Sequence, residues 1–97
     1  MGIGVIVDIN LKPGGAALWT ATSEQRFPTA RSWKGCEQIY LGVDQNDPNH
    51  LIMVQKWTTK EDHAKYSEWA NAQPRSDEML ALLVNVSETT YLDDTKV

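Results

Sequence analysis

The chain of 97 residues is long enough for one domain and too short for two. Its net charge of -4, from nine Lys plus Arg against thirteen Asp plus Glu, argues against nucleic acid, which needs a basic patch, and against an anionic membrane surface. With 41% hydrophobic and 23% charged residues it reads as an ordinary globular domain with a thin core, which a second copy would help to bury.

The first element is a strand. Ile3, Val5, Val7, Ile9 and Leu11 alternate with Gly4, Ile6, Asp8 and Asn10, a period of two with one strongly apolar face. Lys12-Pro13-Gly14-Gly15 stops it. Residues 16–26 have helical propensity, with Ala17, Leu18 and Ala21 on an arc that Gln25 extends. Trp19 lies off that arc and receives no role. Pro28 is expected to interrupt the helix, leaving residues 29–34 as one more turn.

Gly35 opens a second strand, in which Ile39, Leu41 and Val43 alternate with Gln38, Tyr40 and Gly42. The cluster Asn46-Asp47-Pro48-Asn49 within residues 44–49 marks a turn. Residues 51–57 then return as the third strand, ending on Trp57. Thr58 or Thr59 caps a second helix, with Glu61 and Asp62 favourable in its first turn, and this helix runs to about Gln73, before Pro74. Asp77 caps a short helix over residues 78–83. Val84, Val86, Thr90 and Tyr91 suggest a last strand, followed by a polar tail over residues 93–97. The order strand, helix, strand, strand, helix, strand is the split βαβ arrangement of an α+β, ferredoxin-like fold with an antiparallel sheet. Residues 1–97 are read as one such domain, with its core at about residues 3–92.

Motifs for built-in metal or nucleotide chemistry are missing. The two histidines, His50 and His63, are thirteen residues apart, and there is no CxxC, HExxH, GxGxxG or P-loop. A bound flavin or haem would leave no obligatory motif. Cys36 is the single cysteine, so no intrachain disulfide forms and a reducing, cytoplasmic setting fits. It reads as a small buried hydrophobe. No apolar run approaches the ~18 residues of a membrane span. The first eight residues read as a strand, not a signal peptide.

Phe27-Pro28-Thr29-Ala30-Arg31, Gly35-Cys36, Gln55-Lys56-Trp57 and the run from Glu61 to Trp69 resemble the antibiotic biosynthesis monooxygenase family. The resemblance covers about residues 3–92. It implies a ferredoxin-like protomer, a homodimer whose sheets associate into an α/β barrel, and a pocket between sheet and helices. It also implies either oxygenation of a quinol, phenol or polyketide-type aromatic by O₂ without metal or flavin, or binding and degradation of haem. Many members carry a histidine nine residues after the tryptophan. Here that place holds Tyr66, and the histidine, His63, comes six after Trp57. The anthrone oxygenases' asparagine, four residues before that tryptophan, is Met53 here.

The chemistry asks for aromatic walls, one titratable group and a few hydrogen-bond donors. Triplet oxygen reacts slowly with closed-shell molecules, but a deprotonated phenol or quinol supplies the electron itself. Trp57, Tyr66 and His63 are the right types. On an ideal helix of ~3.6 residues per turn, His63 lies about 60° from Tyr66 and about 120° from Trp69. His63 either faces a cavity with Tyr66, as a proton carrier near neutrality, or sits on a solvated helix shoulder beside Asp62 and Lys65. Trp57 lines the pocket or is plain core; Tyr66 is a pocket donor or a core rim. Trp69, like Trp33, is a packing or dimer contact, or joins Trp57 and Asn10 in holding substrate. Asn10 is a donor or a strand-end asparagine, and Arg31 a tether from the helix end to a carboxylate.

The expectations are therefore His63 and Tyr66 as catalytic residues and Trp57, Asn10 and Trp69 as substrate-binding residues. The molecule is expected to be a homodimer with no metal and no cofactor. A non-catalytic binding module on the same fold is the alternative of another class.

Overall fold

A computed structural model describes residues 2–86, 90–95 and 97. β1 (Ile3–Leu11) is followed by α1 (Gly15–Ser32), β2 (Cys36–Asp44), β3 (Asp47–Trp57), α2 (Lys60–Asn71), α3 (Asp77–Ala81), β4 (Leu83–Val86) and β5 (Thr90–Asp93). The sheet is antiparallel in the order β2-β3-β1-β4, and β5 also pairs with β1. This is the expected ferredoxin-like arrangement, with the last strand divided. β4 pairs near the end of β1 (Ile9 with Val86, Leu11 with Leu83), and β5 pairs near its start (Ile3 with Asp93, Ile6 with Thr90). The expected single last strand crosses residues 87–89, which lie outside the described residues.

The period of two in β1 sorts the sheet into two faces. Val5, Ile9 and Leu11 are buried on the helix side. Across the β1–β3 ladder Val5 meets Gln55, Val7 meets Met53, and Ile9 meets Leu51, so the odd-numbered residues of both strands form the floor under α1 and α2. The even-numbered residues Ile6, Asp8, Asn10, His50, Ile52 and Val54 occupy the other face.

Helix α1 departs from expectation in two ways. Its buried residues are Gly15, Trp19, Ser23, Phe27 and Ala30, while Ala17 and Ala21 are exposed. Steps of four and three place this set on one face, chosen by where two large aromatics can be buried between small residues rather than by the alanines. Trp19, given no role from sequence, is a core residue. The helix also runs through Pro28 to Ser32. Pro28 and Glu24 are both exposed, so the Glu24 carbonyl that loses its i+4 donor can take one from water, and the ring's clash is absorbed at the solvent side.

Local signals fix the remaining ends. Gln45-Asn46 makes a tight turn between β2 and β3, with Asp44 Oδ1 accepting from the Asn46 N–H at 2.8 Å; β3 therefore begins earlier than expected, at Asp47. Thr59 caps α2, its Oγ1 accepting from the Asp62 N–H at 3.1 Å. Ser76, not Asp77, caps α3, its Oγ accepting from Met79 at 3.1 Å. Gly35, at φ 85°, has no substitute: the backbone is left-handed and a Cβ there would collide with the Asp62 carboxylate at the start of α2. Arg31 donates to the Ile39 carbonyl at 3.2 Å; its tether is a backbone acceptor, not the carboxylate expected.

Candidate active site

The helix-side floor is not completely filled. A cavity of about 240 Å³ opens between sheet and helices, lined by Val7, Ile9, Met53 and Gln55 from the strands, Trp19 from α1, His63, Tyr66, Ser67, Ala70 and Asn71 from α2, and Arg75 from the segment before α3. A smaller lobe of about 80 Å³ adjoins it toward α1 and α3, sharing Trp19, Met53, Tyr66, Ala70 and Arg75 and adding Arg26 and Met79.

His63 is 4% exposed and lines the cavity, so it does not sit on the solvated shoulder. Its Nδ1 is 3.1 Å from the Tyr91 hydroxyl on β5, and its ring meets the Trp57 ring edge-on with centroids 5.6 Å apart. Burial pushes the His63 pKa below its ordinary value, because the cation would be poorly solvated there. The ring is therefore neutral at neutral pH, with Nε2 left for a ligand. Tyr66 lines the same cavity, and burial pushes its phenol above the ordinary value, with smaller effects from Cys36 and Arg26. A neutral imidazole and a protonated phenol thus share one cavity: one group able to accept a proton and one able to donate a hydrogen bond.

Trp57 stands behind these groups. It is completely buried, stacks on Tyr66 with centroids 5.3 Å apart, and is not among the cavity-lining residues. Its Nε1 donates to Gln55 Oε1 at 2.8 Å. Indole N–H is only a donor, so this bond fixes the Gln55 amide with its oxygen toward Trp57. The Gln55 Nε2 then points along the floor, 3.1 Å from Met53 Sδ, a weak acceptor that a ligand oxygen can replace. Gln55 is thus a donor at the cavity held in place by the strand-end tryptophan. The sequence held a signal for it: it is the one polar residue in the helix-side set Leu51, Met53, Gln55, Trp57.

Two other expected site residues lie elsewhere. Asn10 has even parity in β1 and faces away from the helices; its Nδ2 donates to Asn85 Oδ1 at 2.9 Å, joining β1 to β4. Trp69 packs against Trp33 at 5.3 Å and Tyr66 at 6.0 Å, bracing Tyr66 rather than lining the cavity. Cys36 is half-buried at the edge of this aromatic cluster, and burial pushes its thiol up, which leaves it in the unreactive thiol form.

His50, the other histidine, belongs to the opposite face. Its Nε2 is 2.7 Å from Asp8 Oδ1 and its Nδ1 is 3.0 Å from Asp44 Oδ2. The bonds to Asp44 and then Asp8 push its pKa up, and the same bond lowers that of Asp44.

The sequence over residues 2–74 matches the model of the antibiotic biosynthesis monooxygenase family. The chain belongs to that family. No curated protein matches it significantly. Among solved structures similar to this family member, PA3566 from Pseudomonas aeruginosa is 21% identical over 96% of this chain and 95% of that one, with a TM-score of 0.71. Rv0793 from Mycobacterium tuberculosis is 16% identical over 97% and 95%, with a TM-score of 0.74. A Bordetella bronchiseptica protein bearing the family's name is 20% identical over 97% of both chains, again with a TM-score of 0.74. At such identities the likeness is one of fold. Among the described residues no helix is long and apolar enough to cross a membrane.

Proposed function

We propose that this family member is a cofactor-independent monooxygenase that oxidises a quinol, phenol or polyketide-type aromatic with O₂ in the helix-side cavity. The observation that carries the reading is the meeting of neutral His63, protonated Tyr66 and the oriented Gln55 amide in one largely apolar cavity. His63 Nε2 takes the acidic proton of the bound aromatic. Tyr66 and Gln55 donate to the oxygen on which the negative charge develops, and Val7, Ile9 and Met53 keep water from it. The anion passes an electron to O₂, and the two recombine. For an anthrone-type CH₂ the balance closes without another reductant: one oxygen atom becomes the new carbonyl, and the other leaves as water with the two hydrogens of that carbon. Trp57 acts by positioning, holding Gln55 and backing Tyr66.

The even-numbered sheet face carries Ile6, Ile52 and Val54, half-buried, beside the exposed Tyr40 and Leu92. A second copy covers this face in the working molecule, giving a homodimer. A cytoplasmic, reducing location suits the single thiol. Haem suits the cavity poorly. The volume of about 240 Å³ lies below the ~300–1,000 Å³ of pockets that hold drug-sized ligands. Both nitrogens of His50 are engaged by carboxylates on the other face, so it is the small volume, and not a lack of a free nitrogen on His63, that disfavours haem.

Oxygen consumption by the purified protein against a panel of quinols and anthrones tests the proposal. Uptake above the spontaneous rate with at least one member supports it. A folded dimer that consumes none, while binding the same compounds, makes the protein a binding module instead.

A further inference from the structure

The same cavity holds a cation that the chemistry above does not use. Arg75 lines both lobes and Arg26 lines the inner one. Among the described residues no Asp or Glu lines either lobe, and none has a carboxylate within ion-pair distance of either guanidinium. Arg26 is already committed: its Nη2 donates to the Pro74 carbonyl at 2.6 Å, which pins the segment that presents Arg75. Arg75 lies over the Trp19 ring, 5.5 Å from the centroid. Stacking covers the face of a guanidinium and leaves its in-plane N–H fork free. We propose that the cavity takes a planar aromatic carboxylate, whose ring lies on the apolar floor and whose carboxylate is received by Arg75, with Arg26 adding positive field behind it. The proposal rests on the cavity being the ligand site, as in the preceding subsection, and adds the class of ligand.

Three further points favour a carboxylate. Arg75 is half-buried, and burial first, then Arg26, pushes its pKa below the ordinary value. A charge desolvated without a counter-ion is costly, and an anionic ligand offsets that cost. One free fork with planar geometry matches a carboxylate through two parallel hydrogen bonds. The rest of the lining, Val7, Ile9 and Met53 with the edges of Trp19 and Tyr66, suits an uncharged ring rather than a second anionic group.

The test compares 1-hydroxy-2-naphthoate with its isosteric neutral amide, 1-hydroxy-2-naphthamide, by calorimetry near neutral pH. The acid is expected to bind wild-type protein at least about tenfold more tightly than the amide, the effect of one charge-assisted paired contact. Arg75→Gln should remove that preference, weakening the acid far more than the amide, whose carbonyl loses at most one uncharged-acceptor hydrogen bond. Arg75→Lys, which keeps the charge but loses the fork, should retain part of it and shows that the site itself is intact. Equal binding of acid and amide by wild-type protein, or a preference that survives Arg75→Gln, overturns the carboxylate site and leaves the cavity reading standing. Failure of both compounds to bind overturns the two together.

Discussion

The two faces of the sheet each carry one histidine, and the contrast between them shows how this small molecule divides its work. On the helix side, His63 is enclosed by Trp57, Tyr66 and Tyr91, with no acidic partner among the described residues, and burial lowers its pKa. On the other side, His50 is clamped by Asp8 and Asp44 across three strands, and its pKa is raised. The first is a neutral imidazole at a cavity, the base of the proposed reaction. The second is a bridge between two carboxylates, which favour its charged form, and it ties β1, β2 and β3 together at the hairpin end. The residue type is the same; the face decides the role.

The largest break in this division should come from Trp57, which serves both the core and the site. Trp57→Ala removes a completely buried aromatic and should destabilise the protein by about 3–5 kcal/mol in denaturant unfolding, with loss of turnover because Gln55 is no longer held. Gln55→Leu separates the two effects. It leaves the buried indole N–H without its acceptor, at about 1–3 kcal/mol, and should weaken binding of a phenol while the fold persists.

On the other face, Val54→Asp places a carboxylate in the centre of the apolar patch. It should turn a dimer into a monomer in sedimentation without disturbing the helix-side core. A mutant that remains dimeric would move the interface elsewhere.

The smaller effects are those of pH, and the two histidines should respond in opposite senses. For His63 the folded-state pKa lies below the unfolded value of about 6.5. The unfolded chain then binds the extra proton as pH falls, so the His63 contribution to stability is present above that value and is lost toward acid. For His50 the folded value lies above the unfolded one. Its contribution is present below about 6.5 and is lost as pH rises through the folded value. Melting temperatures between about pH 5 and pH 8 should show less acid-side loss in His63→Gln and less alkaline-side loss in His50→Gln than in wild type. Were both variants to shift in the same sense, the contrast between the faces would be wrong.

Much of the fold is legible because its signals are local. The alternation in β1 carries the two-faced sheet, the Asn and Asp cluster marks the hairpin turn, and a threonine before Glu61 and Asp62 caps α2. Helix α1 is less legible. Its buried face mixes Gly15, Ser23 and Ala30 with Trp19 and Phe27, so no apolar stripe shows which side turns inward, and a proline facing solvent does not end it. At the site, His63 and Tyr66 are readable from helical spacing, and Gln55 was open to a parity argument. Arg75 was not readable. It follows a proline between two helices, in a segment with no periodicity, and reaches the cavity only because the chain turns back there and Arg26 holds Pro74. Asn10 shows the opposite failure: the residue type suits a ligand, but strand parity sends it to the other face.

The most direct test of the division is oxygen uptake by His63→Ala and His50→Ala, measured against the best quinol or anthrone for the wild-type protein. General-base catalysis is worth ~100-fold or more, so His63→Ala should lose about that factor, while His50→Ala, folded and below its own melting point, should keep near wild-type turnover. Full activity in His63→Ala, or a comparable loss in His50→Ala, would contradict the assignment of the chemistry to the helix-side cavity.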